Sequence, residues 1–175
     1  MSGHNKWSKI KRQKEKTDAV KSKVYGKLVR MISVEAKRAQ GNTFSPGLKA
    51  AIEKARALNV PSDNIERAVK RAQETEDDLE TIAYEAYGPG GTAIVIEALT
   101  TNRNKAAQEI KHILTNHGMS LAAMGSAAWA FEKDTFGWNP KTTVTLSDEE
   151  GDRLGKLLDD LEENDEVQEV FTNAL

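Results

Sequence analysis

Apolar side chains recur along the first part of the chain with helical spacing. Val20, Val24, Leu28 and Ile32 follow one another at every fourth position, and Tyr25, Val29 and Met31 widen the same face. This predicts a helix from Thr17 onward, with Asp18 near its positive end and Gly41-Asn42 closing it. A second helix, about Pro46–Leu58, would bury Leu48, Ala51, Ile52 and Ala55. The stretch "NVPSDNIERAVKRAQ" opens a third. Pro61 enters it, Asp63 with Glu66 has the spacing of a capping box, and Ile65, Val69 and Ala72 face inward. Arg67, Lys70 and Arg71 then point away from that face. The prediction for this half is a three-helix bundle with basic outer faces.

The pattern then changes period. Residues 82–87 read as a strand, Pro89-Gly90 suits the centre of a type II turn, and residues 93–99 form a β-branched apolar strand. A helix from Arg103 to His117 turns Ala106, Ile110, Ile113 and Leu114 inward, and Gly118 closes it. "GSAAWAFEK" and "TTVTL" read as two further strands. A helix from Asp148 carries Leu154, Leu157, Leu158 and Leu161, and "EVQEVFTN" ends as a strand. From residue 93 on, the order is β-α-β-β-α-β, the ferredoxin-like arrangement. The fold class expected is therefore α+β, an N-terminal three-helix bundle followed by a ferredoxin-like βαββαβ domain.

Charge sharpens this division. The net charge of −2 conceals 18 Lys/Arg against 7 Asp/Glu in residues 1–75, and 7 against 20 in residues 76–175. Such asymmetry points to an anionic partner for the first half. The boundary falls in the acidic run Glu74–Glu80, giving a basic helical domain over 1–78 and an acidic α/β domain over 79–175. The opening "MSGHNKWSKIKRQKEK" places Lys6, Lys9, Lys11, Arg12, Lys14 and Lys16 around Trp7. Cations at this density neutralise phosphates and release counterions, and a Trp among them can stack on an unpaired base. Trp7 can equally pack with Ile10 against the bundle. In the first long helix, Lys23, Lys27, Arg30 and Lys37 fall on one stripe and extend the candidate nucleic-acid surface.

The stretch "AYGPGGTAIVIEALTTNRNK" looks at first like a phosphate loop. Its glycines, however, precede the strand instead of linking a strand to a helix, so they are read as turning the chain. Asn102, Arg103 and Lys105 open the following helix, either as a secondary anion contact or as ordinary N-capping by Thr101 or Asn102. His4, His112 and His117 form no readable catalytic or metal-binding constellation, and the chain contains no Cys. Neither an enzyme, nor a cofactor, nor a metal is expected. No apolar run approaches a membrane span and no secretory signal is visible, so the expected setting is the cytoplasm.

Four blocks, "SGHNKWSKIKRQK", "AAIEKARALNVPSDNIERAVKRA", "YEAYGPGGTAIVIEALTTNRN" and "GSAAWAFEK", together resemble the YebC family, in that order and across nearly the whole chain. Asn5 and Met31 depart from the usual residues. The resemblance implies a helical N-terminal domain followed by α/β domains. It also implies a role for bacterial members as probable transcriptional regulators, and for mitochondrial relatives as translational activators of cytochrome c oxidase. The family typically carries a third domain inserted in the second; a short loop near 134–140 stands in its place here. Two functional readings follow, a DNA-binding transcriptional regulator or a translation factor docked on ribosomal RNA and the ribosome. A third, a regulatory module binding a small ligand or a protein, would show no salt-dependent affinity for nucleic acid.

Overall fold

The structure is a computed structural model that describes residues 18–40, 42–74, 79–135 and 137–175. The basic arm, including Lys6, Trp7, Lys9, Lys11, Arg12, Lys14 and Lys16, lies outside the described residues. Helix α1 spans Asp18–Arg38, α2 spans Pro46–Ala57 and α3 spans Ser62–Glu74. Leu28, Ile32 and Ala36 from α1 meet Leu48, Ala51 and Ala55 from α2 and Ile65, Ala68 and Ala72 from α3 in one core. Ile32 and Leu48 are wholly buried. Small residues on α3 let it approach α1 closely, and the Ser33 hydroxyl reaches the Ala68 carbonyl at 3.4 Å. Two details differ from the sequence expectation. Gln40 takes the left-handed backbone position just past α1, with φ 51°. Because α3 starts at Ser62, Asp63 sits within its first turn, where it suits the helix dipole, and is not the cap of a capping box.

A second compact unit is formed by Glu80–Leu175. Strands β1 (Glu80–Tyr87) and β2 (Ala93–Thr100) form a hairpin, paired from Glu80↔Thr100 to Tyr87↔Ala93. Its turn is built on Pro89–Gly91, with Gly90 at φ 66° and Gly91 at φ 75°, conformations that favour glycine. Helix α4 (Arg103–Asn116) leads to the short strand β3 (Leu121–Ala122). A small hairpin follows, β4 (Phe131–Asp134) with β5 (Gly137–Pro140). Helix α5 (Asp148–Glu163) and strand β6 (Val167–Thr172) complete the unit.

The fold is α+β, and the main sheet has the order β3-β1-β2-β6. β1 is antiparallel to both β2 and β3, so β2-α4-β3 is a split βαβ unit with β1 between its strands. This is the ferredoxin-like layout with one strand permuted, because the strand in the gap comes from ahead of the unit in the chain. Two expected strands are corrected accordingly. "TTVTL" contributes only a bridge between Val144 and Ala174, and "GSAAWAFEK" becomes extended only from Phe131. The cause is local. The eight-residue strand β1 pairs with β2 across the short loop 88–92, so the slot needs no distant strand.

Strand β2 is buried on both faces. Ile94, Ile96 and Ala98 pack against Ile110 and Leu114 of α4 and Leu154, Leu157 and Leu161 of α5. Ala93 and Val95 face the other way, into a cluster with Ala127, Ala130, Phe131, Trp138 and Phe171. That second cluster seats the β4–β5 hairpin. The Trp138 indole donates to Glu97 at 2.9 Å, Lys133 reaches the same carboxylate at 3.0 Å, and Phe131 meets Trp138 edge to face. At the tip, Asp134 accepts from the Gly137 amide and from the Asn139 side chain.

Candidate nucleic-acid interface

The helical unit carries an open groove of about 960 Å³ along the seam of α1 and α3. Arg30 and Lys37 of α1 line it together with Arg67, Lys70 and Arg71 of α3. Glu74 is the one carboxylate among the described lining residues. Among the described lining residues, five cations and one carboxylate thus share one concave surface, an arrangement that attracts anions. Between the charges lie small residues, Ser22, Gly26, Ser33, Ala68 and Ala72, together with Tyr25, Val29 and Val34. Arg67 is held along its own helix, donating to the Asp63 carbonyl at 3.1 Å and to the Asn64 side chain.

Of the stripe expected on α1, Arg30 and Lys37 line this groove, whereas Lys23 and Lys27 occupy the same helix outside its lining. Arg67, Lys70 and Arg71 are exposed and point away from the core face of α3, as their spacing predicts, and they line the groove. Their steps of three and four put them on neighbouring turns, a signal visible in the sequence. Which neighbour that row faces depends on the packing of Ala68 and Ala72 against α1, and spacing alone does not give it.

At the start of α4 the structure shows the capping expected of Asn102. The Asn102 side chain accepts from the Lys105 amide at 3.1 Å. Arg103 makes two 2.7 Å bonds to Glu80, and Lys105 reaches Glu166 at 2.9 Å. These carboxylates hold Arg103 and Lys105 firmly in the charged form and the Glu80 carboxyl below its usual range. The start of α4 is thus capped and ion-paired. His112 faces Asn116, and His117, at the end of α4, meets Asp160 of α5 at 2.7 Å. Among the described residues no group of three His, Cys, Asp or Glu side chains is placed to hold a metal. No helix among them is long and apolar enough to cross a membrane.

Residues 5–75 match the model of the TACO1/YebC protein N-terminal domain. Residues 79–136 and 132–174 match that of the TACO1/YebC second and third domain. A "Probable transcriptional regulatory protein" of Fervidobacterium nodosum is 37% identical over 235 aligned positions, covering 99% of this chain and 93% of that protein. One of Thermotoga petrophila is 52% identical over 136 positions, covering 76% of this chain and 54% of that protein. Among solved structures, the conserved hypothetical protein Aq1575 of Aquifex aeolicus superposes with a TM-score of 0.78 at 29% identity, covering 90% of this chain and 91% of the other. An alignment of 235 positions against 175 residues leaves at least 60 positions of the Fervidobacterium protein without a counterpart. The two segments matching the second and third domain meet at residues 132–136, by the tip of the β4–β5 hairpin. With every described element accounted for by these matches, the chain belongs to the TACO1/YebC family and is a short member of it.

Proposed function

We propose that this protein is a non-catalytic regulator of gene expression that works by binding nucleic acid through its basic helical unit, in the manner of a DNA-binding transcriptional regulator. The observation that carries this reading is the convergence of Arg30, Lys37, Arg67, Lys70 and Arg71 on one groove. The naming of relatives as regulatory proteins supports regulation in preference to an enzymatic activity. The sequence shows no helix-turn-helix signature with a polar base-reading face, so affinity would come mainly from phosphate contacts and specificity would be modest. The setting proposed is the cytoplasm.

The test is fluorescence anisotropy of labelled nucleic acid across a salt series. Contact with roughly 4–8 phosphates gives a log–log salt slope of about −4 to −7 on duplex DNA. Replacing Arg67, Lys70 and Arg71 together by Gln should remove most of the affinity and flatten the slope by about 3. Unchanged binding in that variant would overturn the assignment of the groove.

A second reading, a ribosome-associated translation factor, is favoured by one observation. The positive and negative charge is segregated onto two separate compact units, which suits a mixed surface of RNA and basic protein. Sedimentation of a fresh lysate through sucrose separates the two. Co-migration with ribosomes that survives DNase supports the translation factor, and retention on genomic DNA supports the transcriptional regulator.

A further inference from the structure

Position 26 lies inside the 21-residue helix α1, where glycine weakens a helix relative to almost any other residue. Other glycines of this fold have visible reasons. A Cβ at Gly88 would come within 2.8 Å of Ile94, and Gly90 has φ +66°. Gly26 has neither reason. Its φ is outside the left-handed region, and among the described residues a Cβ built on it would meet no atom within 4 Å beyond its own stretch of helix. It is exposed, and it lines the cationic groove beside Tyr25 and Arg30. The described fold gives no reason for the missing side chain, whereas a ligand that must approach the helix backbone closely would.

The width of the groove indicates which ligand. Helices α1 and α3 are in direct contact at Ser33 and Ala68, and helices packed this closely lie about 8–10 Å apart axis to axis. A duplex holds its two backbones apart across grooves about 6–12 Å wide and presents a rigid convex surface, so it would rest on the rims. A single strand is narrower and flexible. A cationic groove with an aromatic ring in its lining is the arrangement that binds such strands, with phosphates on the cations and a base on the ring. The half-buried Tyr25 supplies that ring.

Building on the nucleic-acid reading above, we infer that the α1–α3 groove takes a single-stranded polynucleotide whose backbone crosses α1 at Gly26, between Arg30 of α1 and the Arg67, Lys70 and Arg71 row of α3. The side-chain-free position sets the depth to which the strand descends. Duplex binds the same cations only from the rim, and less tightly.

The experiment titrates labelled 12-nucleotide oligo-U RNA, oligo-T DNA and a 12-base-pair duplex against the intact wild type, Gly26→Leu, and the triple variant Arg67→Gln, Lys70→Gln, Arg71→Gln. Leu is a good helix former entering empty space, so Gly26→Leu should melt at a higher temperature than the wild type. Its affinity for one or both single strands should nevertheless fall at least about tenfold, the value of a lost stacking contact, while duplex affinity stays the same. A gain in stability with a loss of binding cannot arise from misfolding. Wild-type single-strand affinity in Gly26→Leu, or tighter binding of duplex than of either single strand by the wild type, overturns the inference and leaves the nucleic-acid reading standing. A triple variant that binds all probes like the wild type overturns the assignment of the groove and the inference with it, and a wild type that binds none overturns the nucleic-acid reading as well.

Discussion

Glu85, on β1, is only 6% exposed, yet it is fully provided with partners. Its carboxylate accepts from the backbone amides of Gly125, Ala127 and Ala128 at 2.6, 2.7 and 2.8 Å. Burial pushes the carboxyl upward, and the three amides outweigh burial and hold it below its ordinary value of 4.5. One side chain thereby fastens the loop between β3 and β4, which carries Trp129 with its indole donating to the Tyr87 hydroxyl at 3.1 Å. The sign of the pH dependence follows from the depressed value. The unfolded chain binds the proton more readily, so the stabilisation is complete above about pH 4.5 and is lost as pH falls through the folded-state value. Glu85→Gln should lower the unfolding free energy by about 2 kcal/mol at neutral pH, the scale of hydrogen bonds to a charged group. Urea titrations at pH 7 and at pH 3.5 should show the gap between variant and wild type narrowing in acid. A gap of equal size at both would mean that shape, and not charge, holds the loop.

Among the elements, the β4–β5 hairpin depends on how its tip meets β6. Its register runs from Phe131↔Pro140 to Asp134↔Gly137. Gly137 has φ +137°, and a Cβ there would lie 2.6 Å from the Phe171 ring. Gly137→Ala therefore meets both backbone strain and a clash with β6, and should cost about 1–3 kcal/mol. Removing the ring tests the cause. In a double-mutant cycle with Phe171→Ala, the two penalties should be less than additive, as expected when they share one contact. Strict additivity in thermal or urea unfolding would show that the ring plays no part in the requirement for glycine.

The whole molecule has its apolar side chains in separate cores, one wholly within the helical unit and the others within the α/β unit. Leu48→Ala, at a fully buried site of the helical core, should cost that unit about 2–5 kcal/mol. We expect amide hydrogen exchange to quicken through Leu28–Ala36 and Ile65–Ala72 while the slowest amides of β2 keep their rates. If β2 quickened equally, the two units would unfold as one. The charge follows the same division, with cations concentrated in one unit and carboxylates in the other. An anionic partner would therefore meet one unit and not the average surface of a nearly neutral molecule.

Periodicity in the sequence determined the three helices, the β1–β2 hairpin with its glycine turn, α4, α5 and the final strand. Each is written in contacts between residues a few positions apart, at helical spacing or across one tight turn. The charge boundary and the family resemblance were legible for the same reason, since they require only counting and order. Tertiary structure alone decided which strand fills the gap in the sheet. Both 82–87 and 142–146 have strand-forming sequences, and the hairpin took the place because its loop is the shortest to close. Tertiary packing likewise decided that Arg67, Lys70 and Arg71 share a groove with Arg30 and Lys37, and that Gly26 leaves it open. A helix sequence fixes which residues lie on one face. Where that face points is fixed only when another helix packs beside it.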